Sequence, residues 1–561
     1  MSDDTLRVVL CWHMHQPEYR DPRDGTFVEP WLLLHALKDY TDMAAHLERL
    51  PGAAGVVNFS PLVLDQLGAL VDQLDAHLDG GPPPADPLLA ALCPDGAPEG
   101  RHGKQALLQA CLRAHPIHMV SRHPPLARLS ALARAVVERP GAEAWLTGGF
   151  LADLVAWYLL AWLGESVVDS DPRAARLREC TDGLAGADRR ELLEVVRDTL
   201  AGIVPRWRAL AQSGRVELAC NPYAHPILPL LIDFESAQEA RPDTALPADG
   251  GYPDGAERAR WHLARAQETH AERFGQPPAG CWPSEGAVSD AALDAIADAG
   301  FAWAATGQQV LRHSLGDDEP TGDACHRPYR TGERGLPTFF RDDALSDRIG
   351  FVYQDWHADD AAADFVAHLE AIADDPDAEP GRVVSIILDG ENAWEYYPVN
   401  GWYFLEALYR MLDEHPRLHL CTFSDCLDGQ GDDMPALDHV VAGSWVHGDF
   451  NTWIGDPQKN SAWELLLHAR AALDAALADG AERTQDLERR LAVCEGSDWF
   501  WWPGEYNPQE SVASFDALYR RQLAGLYTAV GLEPPEELAH AFAHGSGRPA
   551  AGGVMRGGGG G

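Results

Sequence analysis

Short apolar, β-branched runs recur along this chain, and most are followed by a stretch in which apolar residues return every three or four positions. Such runs predict buried strands, and the stretches between them predict amphipathic helices. Strands that alternate with helices indicate a parallel sheet, and seven of them favour a closed or nearly closed barrel in the α/β class. The seven runs are residues 7–12, 55–59, 215–220, 279–282, 301–304, 383–388 and 418–422.

The strand pattern stops between the second and third runs. Residues 61–214 show helical periodicity broken by Pro/Gly-rich loops, which predicts a helical insertion within a barrel unit at residues 1–430. A second helical region predicts a C-terminal helical domain at residues 431–545 that contributes to the active-site groove. The Gly-rich residues 546–561 are expected to form a disordered tail.

One apolar stretch, residues 144–164, has about the ~20 residues that a membrane span requires. Asp153 lies near its centre, where a charge costs ~2.5 kcal/mol or more, so we expect a buried helix. The ten cysteines form no Cys-x-x-Cys pair, and no cationic, apolar leader precedes the first strand. Both observations favour a cytoplasmic protein.

The charge is strongly negative, with 86 acidic against 44 basic residues and a formal net charge of -42. Nucleic acid and anionic membranes are therefore excluded as partners. Only three of the basic residues are Lys, and such an acidic surface suggests a halophilic protein, since the Debye length falls to ~3 Å in 1 M salt. A GC-rich genome explains the preference for Arg but not the excess of acid.

Two carboxylates are the strongest candidates for chemistry. Asp389 follows the most continuous apolar run, so it emerges from a desolvated core, where its pKa rises and a proton is available for a leaving group. Glu285 follows Trp282 and Pro283 in a rigid turn, and a helix predicted near Ser289 favours an ionised carboxylate there. A protonated acid and an ionised carboxylate are the pair that cleaves a glycosidic bond.

Three histidines accompany these acids. His13 and His15 are two positions apart and share one side of the first strand, and His225 lies between Pro222 and Pro226 in a rigid loop. The residues alone leave two interpretations open, a metal site or hydrogen bonds to sugar hydroxyls.

Aromatic rings cluster at residues 443–455 and 497–504, and Glu391 and Trp394 follow Asp389 closely. Ring faces stack on the C–H faces of sugars, and carboxylates accept hydrogen bonds from hydroxyls. This combination favours a carbohydrate site over core packing alone.

Taken in chain order, these segments resemble glycoside hydrolase family 57, whose members act on α-glucans with retention, and especially its α-amylase and amylopullulanase-like members. Five segments are similar to the family's five regions: residues 13–17, 217–225, 282–285, 388–392 and 443–455. The resemblance implies a (β/α)7 barrel, with Glu285 as nucleophile and Asp389 as general acid/base. It also implies substrate-binding roles for His13, His15, Gln16, His225, Trp282, Glu391, Trp394, Trp445, Asp449 and Trp453.

The implied reaction is double displacement on an α-glucan polysaccharide or maltooligosaccharide, with no metal and no other cofactor. The Asp-Gly-Glu of the fourth region differs from the pattern of the family's branching enzymes, which favours amylase-type hydrolysis or glucan transfer. Two alternatives remain. One is a metal-dependent polysaccharide deacetylase or mannosidase-like enzyme that uses His13, His15 and His225, and the other is a catalytically inactive glucan-binding protein.

Overall fold

The computed structural model describes residues 5–316, 324–375, 381–391, 393–428 and 434–547. Asn392 of the fourth sequence region and residues 548–561 of the predicted tail lie outside these ranges. Within them eight strands form, in chain order: β1 (Leu6–Met14), β2 (Gly55–Phe59), β3 (Val216–Ala219), β4 (Ala304–Thr306), β5 (Tyr329–Thr331), β6 (Leu336–Phe340), β7 (Val383–Asp389) and β8 (Leu418–Leu420).

The strands form two sheets. In the first, β3, β2, β1 and β7 lie side by side and parallel, and β1 pairs with β7 over residues 7–13 and with β2 over residues 11–14. β8 pairs in parallel with the first residues of β1, 6–8. In the second sheet β6 is parallel to β4 and antiparallel to β5.

Isolated backbone bridges join the two sheets into one ring. Cys281 bridges Cys220, just after β3, and Ala304 at the start of β4. Arg341, just after β6, bridges Ser385 of β7. The ring therefore runs through β1, β2, β3, Cys281, β4, β6 and β7, and these seven strand positions agree with the predicted (β/α)7 barrel.

One barrel strand differs from the sequence prediction. Residues 418–422 are predicted to form the seventh barrel strand. They contain β8, which pairs with the first residues of β1, and the strand that follows β4 in the ring is β6 instead. The sequence hides β6 because Pro337, opposite Arg330 in the β5–β6 ladder, interrupts its apolar run. A proline within an apolar run argues against a strand, because proline has no N–H to donate to a neighbouring strand.

Side-chain alternation along the strands separates the barrel interior from its surroundings. Cys11 of β1 and Ile387 of β7 belong to the interior apolar cluster, whereas Trp12 packs with the surrounding helices. The same two-residue period places His13 and Asp389 at the end of the interior rows. The carboxyl ends of β1 and β7 therefore present both side chains at one mouth of the barrel.

The predicted insertion is helical throughout. Residues 60–215, all of which are described, contain eight α-helices: Pro61–Leu78, Pro87–Leu92, Arg101–Cys111, Pro124–Val137, Gly148–Trp162, Glu165–Ser170, Pro172–Glu179 and Gly186–Gln212. The other helices around the barrel are Trp31–Arg49, Leu228–Ile232, Ala237–Ala240, Gly255–Phe274, Asp290–Asp298, Gln308–Leu315, Asp343–Asp347, Ala358–Ala373, Trp402–Asp413 and Phe423–Leu427.

The apolar stretch at residues 144–164 contains the helix Gly148–Trp162, which is almost entirely buried in the protein core from Leu151 onward. Asp153 lies at the edge of this packing in an ion pair with Arg189 at 3.0 Å. The prediction of a buried helix is confirmed. Within the described ranges, no helix is both long and apolar enough to cross a membrane.

Four further α-helices form in residues 434–547: Pro457–Ala478, Gln485–Cys494, Asp498–Trp501 and Gln509–Ala529. The ring of Trp463 stacks on Phe500 with 3.8 Å between centroids, which ties two of these helices together. The backbone N–H of Ser497 donates to the carbonyl of His225 at 2.9 Å. The C-terminal helical region therefore contacts the mouth of the barrel directly.

Candidate active site

Asp389 and His13 are neighbours across the β1–β7 ladder. They are paired in register, and the N–H of Gly390 donates to the His13 carbonyl at 2.8 Å. Both side chains continue interior rows of the barrel. Residues 13–17 and 388–392, two of the five segments that resemble family regions, are thus brought together by the parallel pairing of β1 and β7.

Glu285 lies in a turn with left-handed backbone angles, φ 57° and ψ 24°. A non-glycine residue in this region stores strain and must be held by its surroundings. Trp445 does so, because its backbone N–H donates to the Glu285 carbonyl at 3.1 Å and its indole Nε1 donates to Glu285 Oε2 at 2.9 Å. The rigid turn predicted after Pro283 is present.

The pKa of Glu285 differs from the sequence prediction. Its pKa is raised to about 8, first by burial and next by the negative charge of Asp389; the Trp445 hydrogen bond opposes this rise, and Asp498 adds to it. The expected lowering of the Glu285 pKa by helix amides does not occur. The helix Asp290–Asp298 does begin at Ser289, but the Ser289 hydroxyl accepts the helix's own amide from Ala292 at 3.3 Å.

Two asparagines determine which nitrogen of His13 carries the proton. Asn221 Nδ2 donates to the Pro222 carbonyl at 2.8 Å, so Asn221 Oδ1 accepts from Asn58 Nδ2 at 3.1 Å. Asn58 Nδ2 also donates to His13 Nδ1 at 2.8 Å. Because an amide nitrogen only donates, His13 Nδ1 is the acceptor and its proton is on Nε2.

The tautomer of His13 determines that of His225. His13 Nε2 lies 3.2 Å from His225 Nε2, so it donates there, and His225 Nδ1 donates to Ser497 Oγ at 2.8 Å. Burial lowers the pKa of both His13 and His225 well below the usual value, and neighbouring histidines lower it further, so both rings are neutral. His225 Nδ1 is also 3.9 Å from Glu285 Oε1.

His15 completes the group of histidines. Its ring stacks on His225 with 3.6 Å between centroids and 12° between planes, and its Nε2 lies 3.0 Å from Asp498 Oδ1. Among the described residues, His15 Nδ1 is buried without a hydrogen-bond partner. Glu391 Oε1 accepts from the His15 backbone N–H at 3.1 Å.

Gln16 and Glu391 form a buried support beneath the histidines. Gln16 Nε2 donates to Glu391 Oε1 at 2.8 Å, and Tyr19 donates to Gln16 Oε1 at 2.9 Å. Burial and the charge of Asp389 raise the pKa of Glu391 well above its usual range, against the opposing hydrogen bond from Gln16. Only 1% of Glu391 is exposed, so its contacts are with the protein.

The predicted groove tryptophans separate into two pairs. Trp282 and Trp445 lie at the site, edge to face at 5.1 Å, and Trp282 also lies 6.4 Å from His13. Trp394 is buried against Trp12, and its indole donates to the Gly390 carbonyl at 2.8 Å.

Trp453 is fully buried against Trp501 in the C-terminal helical region. The structure thus places Trp394 and Trp453 in the core. Trp282 is equally buried and reaches the site only through its contacts with His13 and Trp445, so of the four predicted tryptophans Trp445 alone is partly exposed.

Asp449 was also predicted to bind substrate. Its Oδ1 accepts from the Asn451 backbone at 2.9 Å, and its Oδ2 accepts from Arg241 Nε at 2.6 Å. Both carboxylate oxygens therefore stabilise the loop that carries Trp445. The structure places Asp449 in this supporting position and not among the histidines.

Four residues of the site were missed in the sequence: Asn58, Asn221, Ser497 and Asp498. Asn58 is the fourth residue of the short strand β2, and a lone polar residue in an apolar run was the available signal. Ser497 and Asp498 directly precede the tryptophan cluster at residues 499–502. No spacing rule links them to β1, so only the folded chain brings them together.

Among the residues that the structure describes, two groups of side chains have the composition of a metal site. Ligand atoms of His15, His225 and Asp498 lie within 4.8 Å of one another, as do those of Cys325, His326 and Asp342.

In the first group the two imidazole rings are stacked, so their in-plane lone pairs run parallel and do not converge. Both ring nitrogens of His225 are also engaged by His13 and Ser497. This geometry fits a hydrogen-bonding site better than a chelating one.

Comparison with known proteins was made by sequence and by structure. Residues 9–436 match the model of Glycosyl hydrolase family 57, and a search of curated proteins finds no match. A GH57-type branching enzyme from the hyperthermophilic archaeon Pyrococcus horikoshii has a TM-score of 0.55 at 14% identity, over 94% of this chain and 88% of that one.

Two further structures are similar. The GH57 branching enzyme from Thermococcus kodakaraensis has a TM-score of 0.56 at 14% identity, over 94% of this chain and 89% of that one. The alpha-amylase AmyC from Thermotoga maritima has a TM-score of 0.54 at 13% identity, over 96% of both chains. At such identities the likeness shows the fold alone, and it confirms the predicted (β/α)7 class.

Proposed function

The chain belongs to glycosyl hydrolase family 57, and on this premise we propose that it is a retaining enzyme that acts on α-glucans such as starch, glycogen or maltodextrin. Glu285 is the nucleophile and Asp389 is the general acid/base. One observation carries the proposal: two carboxyl groups from distant parts of the chain are coupled at one barrel mouth, where Asp389 raises the pKa of Glu285.

A retaining mechanism requires that the two carboxyl groups share one proton and that this proton is on Asp389 when the sugar is bound. Asp389 donates this proton to the glycosidic oxygen while ionised Glu285 attacks the anomeric carbon. The C–O bond breaks, and a glycosyl ester forms on Glu285. Asp389, now ionised, takes a proton from water, whose oxygen attacks the same carbon and releases Glu285. The Trp445 indole stabilises the carboxylate that departs.

His15 supplies a directed hydrogen bond to the sugar in this proposal, and His13 and His225, whose ring nitrogens are all engaged by protein groups, hold the surroundings of His15 in place. The Nδ1 of His15 has no protein partner among the described residues, which leaves it for a substrate hydroxyl. Burial lowers the pKa of His13 and of His225 well below the usual value, and Asn58 and Ser497 fix their tautomers. Gln16 and Glu391 orient His15 from below.

We propose amylase-type hydrolysis, with transfer to a second glucan using the same covalent intermediate. Incubation with maltoheptaose and amylopectin, followed by chromatography and a reducing-end assay, tests this directly. Shorter oligosaccharides with new reducing ends indicate hydrolysis, and longer products without new ends indicate transfer. The Glu285→Gln variant is the control and yields neither. Binding of glucan by the wild type without any product would identify an inactive glucan-binding protein.

A second candidate function is favoured by one observation, the closeness of His15, His225 and Asp498. A metal-dependent deacetylase or mannosidase-like enzyme would hold a divalent ion there. Dialysis against EDTA separates the two functions. The double-displacement proposal requires unchanged activity, and activity that is lost and then restored by zinc supports the metal enzyme.

The division of the chain is part of the same proposal. We propose a catalytic barrel unit at residues 1–430, including its helical insertion, and a helical domain at residues 431–545. The contribution of Ser497 and Asp498 to the histidine group supports a shared active site. The second unit therefore has a part in catalysis and not only in stability.

A further inference from the structure

A cavity of about 620 Å³ lies beside the segment 221–225, and its wall contains none of the active-site side chains described above. Its volume is in the range of small-molecule sites, about 300–1,000 Å³. Tyr223, from the segment that carries His225, forms part of the wall, together with Trp261 of the helix Gly255–Phe274. The cavity therefore adjoins the active site from behind.

The wall offers one aromatic ring, that of Trp261, for a ligand to stack on, because Tyr223 is only 1% exposed and supports the indole from behind. Trp261 is partly exposed and meets Tyr223 edge to face, with 5.7 Å between centroids and 88° between planes. The guanidinium of Arg258 lies 4.8 Å from the Trp261 ring centroid. Packing on both neighbours fixes the indole, which reduces the entropy lost when a ligand stacks on it.

The charges of the wall nearly cancel. Five arginines and six carboxylates line it. Of its two buried arginines, Arg258 donates two hydrogen bonds of 2.8 Å to Glu495, and Arg470 donates to Asp474 at 2.9 Å. Arg489 is paired with Glu18, also a buried group. Because these cations already have protein anions, a free anion gains little here. A neutral ligand with many hydroxyl groups donates to the carboxylates and accepts from the guanidinium groups.

Short connections join this wall to the catalytic centre. The N–H of Tyr223 donates to the His262 carbonyl at 3.1 Å, and His262 Nε2 lies 2.8 Å from Glu495 Oε2. Glu495 lies two residues before Ser497, whose hydroxyl is hydrogen-bonded to His225. The segment of Tyr223 and His225 thus belongs to both the cavity wall and the active site, and Glu495 binds the wall residue Arg258 from outside the lining.

We propose that this cavity is a second glucan-binding site, which holds one part of a long α-glucan while the catalytic pair acts on another. The proposal rests on the proposed function, because it takes its ligand class from it. A partly exposed indole fixed by its neighbours, a nearly neutral balance of charged donors and acceptors, and a sugar-sized volume are the features that carry it. A site of this kind increases the affinity for polymers and leaves short oligosaccharides unaffected.

The test compares Trp261→Ala with wild type in the full-length protein. Affinity electrophoresis in glycogen or amylopectin gels should show polymer affinity reduced about fivefold or more, the effect of losing one aromatic stacking contact. The values of kcat/KM for maltoheptaose should stay within about twofold. Trp145→Ala is the matched control, because Trp145 is 88% exposed and does not line the cavity.

Because Trp261 packs on Tyr223, Trp261→Ala could disturb the local fold, so a second variant changes the cavity without removing that packing. Glu268 lies on the rim with its side chain 63% exposed, paired with Arg265 at 3.1 Å, so Glu268→Ala preserves the packing. A polymer-specific loss of affinity in this variant supports the proposal. Unchanged polymer affinity in both variants overturns it, as does a loss of activity on maltoheptaose in Trp261→Ala with no effect of Glu268→Ala.

The two proposals fail in different ways. If the wild type does not cleave maltoheptaose, the proposed function is contradicted. If the wild type cleaves maltoheptaose, and both Trp261→Ala and Glu268→Ala bind polymer as the wild type does, only the second site is contradicted.

Discussion

The indole N–H of Trp445 donates a hydrogen bond of 2.9 Å to Oε2 of Glu285, while the backbone N–H of Trp445 donates to the Glu285 carbonyl at 3.1 Å. One residue therefore fixes both the strained backbone and the carboxylate of the proposed nucleophile. The indole bond favours the ionised carboxylate, against the burial and the Asp389 charge that raise the Glu285 pKa to about 8.

Trp445→Phe should remove this hydrogen bond and keep the ring. A hydrogen bond to a charged group contributes about 1.5–3 kcal/mol, and one pKa unit equals about 1.4 kcal/mol. The acidic limb of the pH profile of kcat/KM should therefore move to higher pH by about one unit. Trp282→Phe is the control, since the Trp282 indole N–H has no hydrogen-bond partner among the described residues. An acidic limb that stays in place in Trp445→Phe contradicts this role.

Asp498→Asn should move the same limb in the opposite direction. The negative charge of Asp498 raises the pKa of Glu285, so a neutral side chain of the same size lowers it. The acidic limb of the pH profile of kcat/KM should shift to lower pH. Salt screens the charge of Asp498 to the extent that solvent reaches the site, so the shift should be smaller in 1 M salt than in 0.1 M salt. A shift to higher pH would show that the contact of Asp498 with His15 outweighs its charge on Glu285.

Glu285→Gln should stabilise the protein at alkaline pH. The folded-state pKa of about 8 lies above the ordinary value of 4.5, so the wild type loses stability as the pH rises between these values. A neutral glutamine does not titrate and avoids this loss. The melting temperature of the variant should exceed that of the wild type by about 2 °C or more at pH 8.5, and the difference should vanish near pH 4.5. Equal melting temperatures at pH 8.5 would contradict the raised pKa.

The net charge of -42 predicts a dependence on salt. At low ionic strength the acidic surface repels itself, and molar salt shortens the Debye length to ~3 Å. The melting temperature should rise between 0.1 M and 2 M KCl. A melting temperature that does not change over this range would contradict the halophilic interpretation and leave genome composition as the reason for the scarcity of lysine.

Most of the barrel follows from the sequence because its strands are buried and apolar. β7 and β1 are long runs with clear ends, and those ends placed Asp389 and His13 correctly. β6 could not be found, since Pro337 breaks its pattern and only the pairing with β5 and β4 supports it. A strand that depends on its neighbours for stability leaves a weak signal in its own residues.

The residues of the site likewise fall into those that the sequence reveals and those that only the fold brings together. Glu285 and His225 lie in short proline-containing turns whose rigidity is visible locally, whereas Asp498 reaches His15 across almost the whole chain. The tryptophans were misjudged for a related reason. Trp394 and Trp453 have the composition of a sugar platform, but ring identity does not reveal which face is already covered by Trp12 or Trp501.

The central claim is that Glu285 forms a covalent bond to the sugar, and trapping that intermediate tests it most directly. The Asp389→Asn variant, given an α-glucosyl fluoride whose leaving group needs no proton, should form the glycosyl–enzyme and hydrolyse it slowly, because the base for the second step is missing. Mass spectrometry of proteolytic peptides should find one glycosyl group on the peptide with Glu285, and none in the Asp389→Asn/Glu285→Gln double variant. A glycosyl group on another residue, or turnover to a product of inverted configuration without any adduct, would contradict the account.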